Sequence, residues 1–103
     1  MDAVRNDVEY LVAKELESAN KQFPPFCSHH EGYAVIKEEL EEAEECTDSC
    51  KQRLTHIWLN TKHNRSNSDL IKNLKKEAID CAVEMIQVAS MAQKYLDSLE
   101  VDT

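Results

Sequence analysis

Two carboxylate clusters carry the densest chemistry in the chain. Glu38, Glu39 and Glu42 lie in Glu38-Glu39-Leu40-Glu41-Glu42, and Glu77 and Asp80 in Glu77-Ala78-Ile79-Asp80. Acids three or four residues apart share one face of a helix. Two such faces opposed across a helical core offer several hard oxygen ligands to a divalent cation. Mg²⁺ suits them, with Mn²⁺ as the alternative, because it takes oxygen donors and keeps several of its waters. Held there on a polyphosphate, the cation would neutralise developing charge and orient an attacking water, with a further carboxylate as general base.

A Glu-rich run is also what a solvated helix face looks like, and that reading holds for Glu41, Glu44 and Glu45. Glu39 differs. It borders the apolar stripe of Tyr33, Ile36, Leu40 and Ala43, where a side chain is half-buried and aimed at a neighbouring helix. In the second half, the segment from Ala78 to Ala92 is apolar nearly all round, yet Glu77, Asp80, Glu84 and Gln87 run through it as a single stripe. Acids in a buried helix are costly unless paired or bound to metal. The expected ligands are therefore Glu39, Glu42, Glu77, Asp80 and Glu84, with Glu38 beside them.

These residues need helices to hold them. The chain has 103 residues, one Gly and two Pro, which allows one domain with one modest core. No segment alternates β-branched residues, so the composition points to an all-α protein. A first helix is expected from about Asp2, as N-cap, to Lys21, ended by Phe23-Pro24-Pro25-Phe26, with the phenylalanines pinning the turn to the core. Ser28 with Glu31 three residues on forms a capping-box pattern for a second helix. That helix extends to about residue 59, with a break or bend near Thr47 and Asp48 left open. Asn60 to Ser68 is a polar loop, and a last helix from Ser68 to Leu99 is buried on most sides. That apolar circumference is too large for one short chain to cover, so the helix is expected to meet a second subunit.

The net charge of −8 argues against nucleic acid or an anionic membrane as partner, and no stretch is long enough to span a bilayer. Direct contact with phosphate would fall to basic groups. Lys62 and Arg65 in the loop and Lys76 early in the last helix are the candidates, the plainer reading of the loop being a solvated tether. The first residues alternate charged and apolar side chains, without the uninterrupted apolar run of a secretory signal. A cytoplasmic location is expected, with Cys27, Cys46, Cys50 and Cys81 as free thiols. A bridge between Cys46 and Cys50 within one helix is disfavoured by geometry. A zinc site of these cysteines with His29 and His30 matches no familiar ligand spacing.

At this point the sequence resembles the MazG-like all-α nucleotide pyrophosphohydrolases, in their short form common in phages and bacteria. Those proteins carry Glu-Glu-x-x-Glu on one helix and Glu-x-x-Asp on a later one. Glu38, Glu39 and Glu42 match the first motif, and Glu77 and Asp80 match the second. The stretches His30 to Ile36 and Glu84 to Ala92 extend the resemblance over roughly residues 23–96. The resemblance implies a helical bundle completed between subunits, as a homodimer or homotetramer. It also implies Mg²⁺-dependent hydrolysis of a nucleoside triphosphate to the monophosphate and pyrophosphate. Two departures stand out: the interval between the motifs is long, and Glu84-x-x-Gln87 is a rival register for the second motif that lacks one carboxylate. A non-catalytic helical interaction module retaining the fold is the competing expectation.

Overall fold

Three long α-helices account for nearly all of the described residues, 2–99 of a computed structural model, the Asp2 side chain excepted. A 3-10 turn, Asp2–Val4, leads into α1, Arg5–Gln22; α2 is His29–Lys62 and α3 is Ser68–Ser98. The expected Asp2 side-chain cap lies outside the described residues, and Val4 occupies the N-cap position of α1 without a side-chain bond. Phe23 ends α1 in an extended conformation, as a residue before proline must be. Of the two phenylalanines, Phe26 is buried and its N–H donates to Ser98 Oγ at 3.0 Å, whereas Phe23 is largely exposed. Only Phe26 anchors the turn to the core.

Ser28 caps α2 as expected. Its Oγ accepts from Glu31 N–H at 3.1 Å, while Glu31 Oε1 accepts from Cys27 N–H at 3.2 Å. The helix then runs unbroken for 34 residues. Thr47 does not interrupt it, because its hydroxyl donates to Ala43 O at 2.9 Å inside the helix. The connection to α3 is shorter than the sequence suggests, since Asn60, Thr61 and Lys62 remain helical. Asn64 takes the left-handed conformation (φ 54°), and Asn67 Nδ2 donates to Thr61 Oγ1 at 3.0 Å, closing a tight hairpin. Asn67, not Ser68, is the N-cap residue of α3.

α3 is the central element. α1 and α2 each pack against it and not against one another. Close approach depends on small residues. Ser90 is fully buried on α3, its hydroxyl within 3.0 Å of Val12 O on α1 and 2.9 Å of Ile86 O. Gly32 lies where any Cβ would run into the Tyr95 ring, whose hydroxyl meets His29 Nδ1 at 2.6 Å.

Two expectations are corrected here. The cysteines are not four free thiols: Cys46 on α2 is bridged to Cys81 on α3 (Cα–Cα 5.5 Å), leaving Cys27 and Cys50 free. The bridge crosses between helices, as geometry requires. Nor is α3 covered on most sides. Ile79 is 56 % exposed and Met85 50 %, and among the described residues the buried hydrophobic ones are Phe26, Ala43 and Ile57. The radius of gyration is 17.5 Å, against about 13 Å for a compact domain of this length. The chain is an elongated all-helical bundle with apolar surface to spare.

Candidate functional site

Glu39 and Glu42 are separated by three residues on α2, so both point toward α3. The residues that meet them there are Glu84 and Gln87, again three apart. Carboxylate oxygens of Glu39, Glu42 and Glu84 all lie within 4.8 Å of one another. With its amide nitrogen turned to the acids, Gln87 donates to Glu39 Oε2 at 3.1 Å and to Glu84 Oε2 at 3.2 Å. Glu39 and Glu84 are half-buried and Glu42 is exposed.

The electrostatics of the cluster are uncompensated. Desolvation, followed by the charges of Glu42 and Glu84, raises the Glu39 carboxyl above its ordinary value. Desolvation, then Glu84 and Glu38, does the same to Glu42. None of the three acids appears in an ion pair with Lys or Arg among the described residues. Three converging carboxylates without a cationic partner fit a divalent cation, which takes hard oxygen donors and removes the repulsion.

The literal second motif lies elsewhere. Glu77 faces α2 one turn beyond the disulfide, where its Oε1 accepts from Arg53 Nε at 3.1 Å and from Arg53 Nη2. Its Oε2 is buried without a partner. Asp80 is exposed and outside the cluster. Glu38 is exposed beside Glu39 and Glu42, and its charge adds to the repulsion on both. Of the expected ligands, then, Glu39, Glu42 and Glu84 are brought together and Glu77 and Asp80 are not. The intervening turn of helix explains why: α2 and α3 run antiparallel in a register that sets Glu42 against Glu84, Cys46 against Cys81 and Arg53 against Glu77.

The expected basic contacts are also distant. Lys62 lies roughly 30 Å along α2 from Glu42 at about 1.5 Å rise per residue, its Nζ over the Trp58 ring at 5.7 Å. Arg65 is farther, in the hairpin, and Lys76 is exposed about two turns from Glu84 on α3. The Cys–His group does not assemble either: Cys27, His29 and His30 are at the start of α2, far from Cys46 and Cys50.

Sequence reasoning missed the cleft next to the acids. Between α1 and α2, over α3, is a cavity of about 520 Å³ lined by residues that include Glu15, Phe23, Phe26, Glu39, Gln87 and Lys94. Lys94 is 4 % exposed, its Nζ 5.0 Å from the Phe26 ring centroid and 5.9 Å from that of Phe23. A lysine placed four residues after Ser90, on the face that Ser90 buries, was the available signal. Glu15 on α1 adds negative charge near Glu39. No helix among the described residues is long and apolar enough to cross a membrane. Comparison of the chain with protein-family models, curated proteins and solved structures finds no match.

Proposed function

We propose that the chain is a metal-dependent nucleotide pyrophosphohydrolase of the MazG-like type. In this reading Glu39, Glu42 and Glu84 hold Mg²⁺ or Mn²⁺, and the adjoining cleft receives a nucleoside triphosphate. The observation that carries the reading is the convergence of Glu39, Glu42 and Glu84 from two helices, with no cationic partner among the described residues, beside a cleft that Glu39 itself lines and that contains a buried lysine. A bound divalent cation would draw charge from the phosphates and lower the cost of bringing them to an acidic protein.

Each residue has a role that follows from its place. Gln87 fixes the carboxylates of Glu39 and Glu84 through its two hydrogen bonds. Lys94 offers the cleft its positive charge for phosphate, a part the sequence assigned to Lys62, Arg65 and Lys76. Phe23 and Phe26 supply apolar wall for a nucleoside. Glu38, exposed beside the cluster, is the base for an attacking water. The uncovered side of α3 belongs to a second copy, giving a homodimer or homotetramer with a completed helical core.

One observation favours the second reading, a non-catalytic interaction module with the same fold. Gln87 stands where a fourth carboxylate would complete the set, and an amide is a weaker ligand for a hard cation. A panel of nucleoside triphosphates incubated with Mg²⁺ or Mn²⁺ and assayed for pyrophosphate separates the two. Pyrophosphate release lost in Glu84→Gln and kept in Asp80→Asn supports the enzyme. Metal binding without turnover on any nucleotide supports the module.

A further inference from the structure

A second chemical cluster lies one turn from the carboxylates. Cys46 and Cys50 stand one helical turn apart on α2, and both reach Cys81 on α3. Cys46 is bridged to Cys81, and the free Cys50 Sγ lies 3.7 Å from Cys81 Sγ. At that separation the free thiol already touches a bridged sulfur. Cys46 Sγ in turn is 3.6 Å from Glu77 O. A bridged sulfur carries no proton and cannot use that carbonyl, whereas a Cys46 thiol would donate to it. Both the attacking sulfur and the sulfur that would leave thus have their positions prepared.

We propose that Cys46, Cys50 and Cys81 form a thiol–disulfide exchange centre, in which the bridge between α2 and α3 moves between Cys46–Cys81 and Cys50–Cys81. Cys50 gives its proton to solvent, and its thiolate attacks Cys81 Sγ. The Cys50–Cys81 bond forms as Cys46–Cys81 breaks. The electron pair leaves on Cys46, which takes a proton from water and turns it to the Glu77 carbonyl. No net electrons are gained or lost, so the step needs no outside oxidant or reductant. The regiochemistry follows from reach, because the sulfur beside Cys50 is that of Cys81.

The two registers clamp different places. A Cys46–Cys81 bridge is one turn from Glu42 and Glu84; a Cys50–Cys81 bridge is one turn from Arg53 and Glu77. Exchange would shift the tether away from the acidic cluster and leave a free thiol next to it. This centre stands apart from the hydrolase reading and survives its failure.

Label mapping on the bridged 103-residue chain tests it. The protein is held at mildly alkaline pH to allow exchange, then moved to mildly acidic denaturing conditions and labelled with N-ethylmaleimide without reductant. Fragment sequencing then locates the label. The expected result is label divided between Cys46 and Cys50, Cys81 unlabelled and Cys27 labelled throughout. Label confined to Cys50 and Cys27, or label on Cys81, overturns the proposal. In parallel, Cys46→Ser and Cys50→Ser are treated with oxidised glutathione, a small-molecule disulfide. Each should lose two thiols to an internal bridge. A folded Cys46→Ser that keeps all its thiols while Cys50→Ser bridges also overturns it. Helicity by circular dichroism reports whether the variant folds, and the wild-type label map decides the matter where it does not.

Discussion

Gln87 is the residue on which the candidate site turns. It holds two of the three glutamates yet denies the cluster a fourth charge. Gln87→Glu keeps the side-chain length and adds that charge. We expect Mn²⁺ affinity by calorimetry to rise about tenfold, roughly 1.4 kcal/mol, and the metal-free protein to melt at a lower temperature than wild type. Unchanged affinity would remove position 87 from the metal's surroundings. The pH dependence follows from the same crowding. Glu39 and Glu42 hold their protons more tightly folded than unfolded, facing Glu15, Glu38, Glu45 and Glu84. The folded state therefore binds more protons, and this contribution to stability falls as pH rises from the ordinary glutamate value of 4.5 through the raised ones. Melting temperature should drop across that window without metal, and drop less with excess Mn²⁺. An undiminished drop in the double variant Glu39→Gln with Glu42→Gln, which lacks the two crowded carboxyls, would contradict the assignment.

Among the elements, α3 decides most, because both other helices rest on it. Gly32, the only glycine, lets the start of α2 lie against Tyr95 near the end of α3. Gly32→Ala places a methyl in the Tyr95 ring. We expect a cost of about 1–3 kcal/mol by denaturant unfolding, as for overpacking, relieved in part by adding Tyr95→Leu. An exposed glycine in a helix would instead gain stability from alanine, so the sign of the change is the test. The bridge from Cys46 to Cys81 spans a sequence separation of 35 residues. In the chain-entropy picture a loop of that size contributes about 4 kcal/mol. Reduction should lower the urea midpoint accordingly, and Cys81→Ser should show the lower midpoint without responding to reductant.

At the scale of the molecule, the dominant fact is how little one chain buries. An extent of 56 × 28 × 28 Å and a core of three buried hydrophobic residues among those described leave Ile79 and Val83, on one side of α3, about half exposed. At about 25 cal/mol per Å² of apolar surface, covering such a face is a strong drive to association. The proposed dimer or tetramer is expected in light scattering as a multiple of the chain mass at micromolar concentration. Ile79→Lys with Val83→Lys should shift it to the monomer and reduce helicity on dilution. A wild-type monomer under those conditions would require another role for this face.

The all-α class, the proline stop after α1 and the Ser28–Glu31 cap are local properties, and they were legible in the sequence, whereas the unbroken run of α2 past Thr47 and Asp48 was not. Period, capping chemistry and backbone restriction act over a few residues and need no partner to be read. Glu39 was legible for the same reason, since its position at the edge of an apolar stripe is a matter of helical phase alone. Which acids meet across the bundle was not. Glu77-x-x-Asp80 and Glu84-x-x-Gln87 share nearly one face of α3, and only the antiparallel register with α2 sets Glu84 and Gln87 against Glu39 and Glu42. That register places Glu77 opposite Arg53, pairs Cys46 with Cys81 and buries Lys94 beside Phe26. Each is a contact between residues far apart in the chain, where spacing within one helix carries no information, and there the tertiary structure alone decides.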